Sequence, residues 1–242
     1  MRPITSAELV QLWEAGQGMP PAHRAVTLAE AVGDGTGPSA VDLSLGERDH
    51  RLMVLRGQLF GPQISGLDTC GRCGADLDVT FDLGPLVTGP PAPNAPVIVR
   101  WQETELHCRA VTTADVIAAA EAGRPDFGDV LLRRCVTVAA GDRDVPAPAT
   151  GLPGPAADAV MTALAEADPL ADVRLAVTCG ECGHQWDVTF DIASFLWTEI
   201  CAAVERILGE VHVLATAYGW SEAEVLAVGP RRRQYYLEAV GG

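Results

Sequence analysis

No lysine occurs anywhere in the 242 residues: all 17 basic residues are arginine, set against 32 acidic ones, for a net charge of −15. A surface that tracks phosphates along a nucleic acid is therefore not expected of the chain as a whole. The missing lysine, together with abundant Ala, Gly, Pro, Val and Arg, reads as high-GC coding bias and carries no mechanism. No apolar run approaches the ~20 residues of a membrane span, so direct membrane insertion is not expected. Met1 to Val10 lack the basic start, long apolar run and cleavage site of a secretory leader. With seven cysteines, an odd count, the expectation is a cytoplasmic chain with reduced thiols. Also missing is any Ser/His/Asp arrangement, phosphate loop or paired carboxylate at a recognisable turn, which points away from an enzyme.

What the chain does have is the same hairpin twice. Ten of fourteen positions match, at one constant offset, between Thr69-Cys-Gly-Arg-Cys-Gly-Ala-Asp-Leu-Asp-Val-Thr-Phe-Asp82 and Thr178-Cys-Gly-Glu-Cys-Gly-His-Gln-Trp-Asp-Val-Thr-Phe-Asp191. One Cys-x-x-Cys supplies half of a tetrahedral thiolate site, and two supply a complete set. Cys70, Cys73, Cys179 and Cys182 are thus the candidate ligands of one shared structural zinc per chain, the metal that closed thiolate sites prefer. The competing reading is a pair of hairpins whose metal has been lost or replaced by disulfides. A thioredoxin-like site needs a helix start after the motif to lower the thiol pKa, and strands are expected after both copies here.

Periodicity organises the rest. Ser6 to Phe60 reads as three helices, with Leu9, Leu12 and Trp13, then Ala25, Leu28, Ala29 and Val32, then Leu52, Val54, Leu55 and Leu59 on their inner faces. Pro20-Pro21 and the Gly33–Pro38 run separate them. Ile64 to Cys70 and Ala75 to Leu83 alternate as strands, as do Val173, Leu175 and Val177 before the second cysteine pair and Trp186, Val188, Phe190 and Ile192 after it. Between the copies, two proline-rich stretches, Gly89-Pro90-Pro91-Ala92-Pro93 and Val145-Pro146-Ala147-Pro148, bound a segment of their own. It reads as a hairpin over Val97 to Trp101 and Leu106 to Val111, a helix from Ala114 to Ala122 capped by Thr113 and stopped at Gly123, a helix over Phe127 to Arg134, a strand from Cys135 to Ala139, and a helix over Ala156 to Ala167. Phe195, Leu196, Ile200, Val204, Ile207, Leu208, Val211 and Leu214 predict one long amphipathic helix over Ala193 to Ala217. Ser221 and Glu224 form a capping box for a short helix to Val228, and Pro230 opens a last one.

The fold class read from this pattern is α+β: a split four-cysteine zinc ribbon of two β-hairpins, with an inserted small α+β module and helical N- and C-terminal segments. The divisions are 1–63 for the N-terminal helices, 64–84 plus 171–192 for the ribbon-like core, 93–170 for the insert, and 193–242 for a helical hairpin and tail helix.

Other chemistry-bearing residues are scattered. His184 can stand in for a cysteine ligand or face solvent, and four available cysteines favour solvent. His107, Cys108, Cys135 and Cys201 form no pattern, and His212 falls within the apolar periodicity of the long helix, where a core or edge histidine is expected. Arg231-Arg232-Arg233 is the only basic run, suited to a solvated helix face, local ion pairs or an acidic partner. Trp220 and Tyr235-Tyr236 suit packing of the C-terminal helices or an exposed patch. Trp220, Arg231, Arg232, Tyr235 and Tyr236 are the candidate partner-binding residues.

Three stretches carry a resemblance. They are the N-terminal run with Leu12-Trp13-Glu14 and Gly16-Gln17-Gly18, the two Cys-x-x-Cys-Gly hairpins ending in Phe81-Asp82 and Phe190-Asp191, and the tail Glu210-Val-His-Val-Leu-Ala-Thr-Ala-Tyr-Gly-Trp-Ser-Glu-Ala-Glu-Val-Leu226, continuing through Pro230 and Arg232-Arg233 to Tyr236-Leu237. Together they resemble baseplate proteins, including the T4-type phage baseplate hub assembly chaperone family, of contractile phage-tail-like injection systems. Val228-Gly229-Pro230 departs from the apolar-polar-Pro step expected before the arginines. The resemblance implies a non-enzymatic baseplate component or assembly factor, with baseplate or spike/hub proteins as partners and no nucleic acid. The alternative is a zinc-ribbon adaptor that binds nucleic acid or transcription machinery, against which the acidity argues. A redox or metal-dependent enzyme is weaker still, for want of an open ligand position.

Overall fold

Three helices open the computed structural model, which describes residues 4–33, 37–88, 95–123, 127–140, 143–146 and 152–241. Thr5 and Glu8 form a reciprocal capping box at the start of α1 (Ser6–Gly16), and Ser44 and Glu47 form another at α3 (Leu45–Phe60). Between them α2 (Pro21–Glu30) starts on a proline, whose missing N–H costs nothing at a first helical position. Gly61, at φ +88°, then turns the chain into β1 (Gln63–Thr69), which pairs antiparallel with β2 (Asp76–Asp82) before the short helix α4 (Gly84–Val87).

A four-stranded antiparallel sheet follows, in the order β3 (Val97–Trp101), β4 (Thr104–Cys108), β5 (Val136–Ala140), β6 (Arg143–Pro146). Helices α5 (Thr113–Ala122) and α6 (Phe127–Cys135) connect its middle strands, and α7 (Gly154–Ala167) with a 3-10 turn over Pro169–Ala171 returns the chain. The second hairpin, β7 (Arg174–Thr178) and β8 (Gln185–Thr189), leads into α8 (Ile192–Tyr218), α9 (Glu222–Ala227) and α10 (Pro230–Gly241). Gly219 ends α8 in the left-handed conformation that closes a helix. No helix among the described residues is long and apolar enough to cross a membrane.

Two cores result. The larger joins α1, α2, α3 and α8 through Leu28, Leu52, Leu55, Leu196, Ile200 and Val204, and takes in Ile64, Leu83 and Ile192 from the bases of the hairpins. Each fully buried aliphatic side chain there contributes about 1.5–3 kcal/mol. The smaller core, Leu106, Cys108, Val136 and Val160, holds α7 against the four-stranded sheet. The two are stitched together by backbone: Ser44 and Thr112 form an isolated bridge, Leu45 N donates to the Val111 carbonyl (2.9 Å), and Ala114 N donates to the Val41 carbonyl (3.0 Å).

Several local expectations are corrected. Thr112, not Thr113, caps α5, in a box with Asp115. Thr113 is the first helical residue, fully buried, with its hydroxyl accepting from Arg48 (3.2 Å). The long helix begins at Ile192 because Asp191 accepts from the Ala193 and Ser194 amides, so Ile192 enters the core from a helix and not from a strand. His212 is exposed, outside the buried face of α8. The strand β6 lies where a proline-rich boundary is expected, its Pro146 at a sheet edge where a missing donor is tolerated. The Gly89–Pro93 stretch and Ala147-Pro148 lie outside the described residues.

Candidate metal centre

Each Cys-x-x-Cys turn is fixed by the same two backbone hydrogen bonds. In the first, Gly74 N donates to the Cys70 carbonyl (2.8 Å) and Cys70 N to the Ala75 carbonyl (2.9 Å); in the second, Gly183 N donates to Cys179 (2.9 Å) and Cys179 N to His184 (2.8 Å). Both turns need a left-handed residue, at φ +73° for Gly74 and +69° for Gly183. A side chain at Gly74 would meet nothing within 4 Å, so glycine is needed for its backbone angle and not for space.

The two turns meet tip to tip. Cys70 Sγ lies 3.7 Å from Cys182 Sγ and Cys73 Sγ lies 3.6 Å from Cys179 Sγ. The first cysteine of each turn therefore faces the second of the other, the reciprocal pattern of a pseudo-twofold. All four sulfurs lie within 4.8 Å of one another and none is in a disulfide. Sulfurs at about 2.3 Å from a tetrahedral ion sit roughly 3.8 Å apart, whereas a disulfide brings them to about 2.05 Å. The spacing fits a metal ion and not a bond. Cys70 and Cys179 are buried and Cys73 is exposed, so the centre has one inner and one outer side.

The protons reinforce this. Burial pushes the Cys70 thiol up, but the Cys73 and Arg72 amides and the Cys73 and Cys179 thiols hold it down at about 7. The Ala75 amide lowers the Cys73 thiol, yet its three sulfur neighbours outweigh that and push it up to about 12. Four thiols this close cannot all ionise unaided, and a cation among them removes the obstacle. A cation held by all four sulfurs would have no coordination position left for a substrate.

Behind the cysteines the hairpins hold each other directly. Phe81 and Phe190, equivalent in the two copies, meet edge to face at 4.8 Å between centroids. Trp186 Nε1 donates to Asp68 Oδ2 across the gap (3.1 Å), and His184, half-buried, stacks on Trp186 at 5.4 Å. Asp68 is a residue that periodicity alone misses. It sits on the apolar face of β1, at the place Val177 holds in β7, and comparing the repeats upstream of the cysteines would have exposed it.

The C-terminal candidates are drawn together at the far end of α8. Tyr218 stacks on Trp220 (5.0 Å), Trp220 meets Tyr236 edge to face (5.1 Å), and Tyr236 meets Tyr235 (6.0 Å). Packing and exposure are both realised, since Trp220 and Tyr236 are half-buried while Tyr235 is 70% exposed. Arg231 and Arg232 are exposed, whereas Arg233 is buried and paired with Glu210. The four cysteines, at the hairpin tips, and this aromatic cluster, at the C-terminal end of α8, are thus separate features of the chain. In comparisons with known proteins, no family model, no curated protein and no solved structure matches this chain.

Proposed function

We propose that the chain is a non-enzymatic baseplate component or assembly factor of a contractile phage-tail-like injection system, with one structural zinc held by Cys70, Cys73, Cys179 and Cys182. The observation that carries the reading is that the three stretches bearing the family resemblance belong to one packed unit. The N-terminal α1 packs on α8 and α9, and Ser6 Oγ accepts from Arg233 of α10 (3.0 Å). Leu83 and Ile192, which follow the first and second hairpins, are both buried in the core that α8 shares with the N-terminal helices. A zinc-ribbon-like clasp at one end and an aromatic, arginine-flanked surface at the other make a scaffold for protein contacts. The acidic charge suits basic partner faces and disfavours nucleic acid.

Isolation of assembled particles tests this. Presence of the chain in them identifies a subunit, and absence combined with failed assembly on deletion identifies a chaperone. Normal assembly without the chain overturns both. Elemental analysis of reduced protein is expected to give one zinc per chain, lost in the Cys70→Ser, Cys179→Ser double variant. Two zincs per chain, or none, would sink the shared site.

A further inference from the structure

The two hairpins match in register but not in filling. Gly66 pairs with Val79 in the first and Leu175 with Val188 in the second, and Gly66 precedes Cys70 by the same step that separates Leu175 from Cys179. Where one apolar face carries a leucine, the other carries nothing. A Cβ built on Gly66 would meet no atom within 4 Å, and its φ is not in the left-handed region, so neither crowding nor backbone angle requires glycine there. The omission leaves a cleft of about 360 Å³ between the hairpins, walled by Val79, Phe81, Leu175, Val188 and Phe190 and floored by Phe195. That volume lies within the roughly 300–1,000 Å³ of binding clefts.

Two further observations define what fits. Gly66, Leu67 and Asp68 of β1 all border the cleft. That strand, β1, pairs with β2 alone among the described residues, so it has an unpaired edge. Leu67 beside it is 82% exposed. Among the described residues, the charged ones lining the cleft are carboxylates, Asp68 and Asp191, and the outer faces of the hairpins add exposed Asp76, Asp78, Asp82 and Asp187 against exposed Arg174, which is paired with Asp172.

We infer that this cleft is a docking site for an extended segment of a partner protein, which places one large apolar side chain over Gly66 and an adjacent arginine or lysine against Asp68 and Asp191. Backbone hydrogen bonds along β1 would add the segment as a further strand. The charge of the rim selects a basic segment and repels a second copy of this acidic chain. The inference stands apart from the baseplate reading, since it names the chemistry of the partner and not the particle.

The test uses the full chain, zinc-loaded, as bait for a randomised displayed peptide library. The expected selection is an aromatic or large aliphatic residue flanked by Arg or Lys, and the selected peptide should bind Gly66→Leu at least about tenfold more weakly. Its Arg→Glu and apolar→Ala versions should lose binding as well. Circular dichroism and melting of Gly66→Leu should match the parent, and Gly66→Val serves as the second variant if the leucine disturbs the hairpin. No enrichment, an acidic consensus, or equal binding to folded Gly66→Leu and Gly66→Val overturns the proposal. So does a cleft closed by self-association in sedimentation runs.

Discussion

Arg233 donates to Ser6 Oγ at 3.0 Å, joining positions 227 residues apart. The same guanidinium reaches Glu210 (2.8 Å) and the Val228 carbonyl (2.7 Å) and is only 3% exposed. One side chain thereby fastens the last helix to both α8 and α1. Arg233→Met is expected to cost about 2–3 kcal/mol, because it strands the Glu210 carboxylate and two further acceptors, with partial exposure of Glu210 keeping the figure at the lower end for a broken buried pair. Arg233→Lys should recover little, since an ammonium cannot span the fork. The exposed neighbour Arg232→Met should stay within about 0.5 kcal/mol. Denaturant midpoints decide it, and equal costs at 232 and 233 would refute the clasp.

Metal removal should act on the hairpins before the helices. The four cysteines close a loop across more than a hundred residues, but the larger core rests on α1, α2, α3 and α8. Chelation of the reduced protein is expected to loosen the Asp68–Trp186 contact and shift tryptophan emission, while helical circular dichroism is largely kept. A Trp186→Phe control assigns the signal. Loss of all helicity on chelation would mean that the metal holds the whole fold together.

Elements with strong local signals were legible from the residues alone, and their failures are equally physical. The three N-terminal helices, both hairpins and the short capped helix after Ser221 follow from apolar spacing, capping boxes and glycine turns. Thr112 is distinguished from Thr113 by Asp115 three residues on, the same box signal that marks Ser221, whereas the Arg48 contact that occupies the Thr113 hydroxyl leaves no local trace. Strand β6 is too short and too proline-marked to show periodicity. The four-cysteine cluster was readable as a set, but not which sulfurs approach most closely. Gly16 ends α1 as a helical residue, and a Cβ there would lie 2.6 Å from the Trp197 ring, a packing demand that no local pattern records.

Two carboxylates should shape the pH profile in opposite ways. Burial pushes the Asp49 carboxyl up to about 6, with Asp191 and Asp168 adding to it and Arg48 opposing. The fold thus holds that proton more tightly than the unfolded chain, whose aspartates titrate near ~3.9. This favourable term is full below about pH 4 and lost as pH rises through 6. Asp49→Asn is expected to be more stable than the parent at pH 7 by up to about 2 kcal/mol, with the gap closing by pH 4. Burial also raises Asp115, but Arg109, the Thr112 amide and Arg134 outweigh it and hold it well below the usual carboxylate range. Its contribution is present above about pH 4 and lost on further acidification. Asp115→Asn should cost about 2–3 kcal/mol at neutral pH. Melts across pH 3–8 separate the two, and a pH-independent gap for Asp49→Asn would contradict the assignment.

Gly46 and Asp168 give the sharpest steric prediction. Asp168 Oδ2 accepts from Gly46 N (3.0 Å) in the first turn of α3, where the unpaired amides and the helix dipole favour a carboxylate. A Cβ on Gly46 would fall 1.8 Å from Asp168 Oδ1, so even alanine must expel the carboxylate or shift the 3-10 turn behind it. Gly46→Ala should cost about 1–3 kcal/mol by overpacking. Asp168→Ala alone should cost less, near ~1 kcal/mol, through loss of the cap. In the double variant the collision is gone, so the sum of the single costs should exceed the measured value, the coupling expected of residues in contact. Strict additivity would show that the α3 start and the return from α7 tolerate the methyl group by moving apart, and that the Asp168 contact is not what fixes the insert to the helical core.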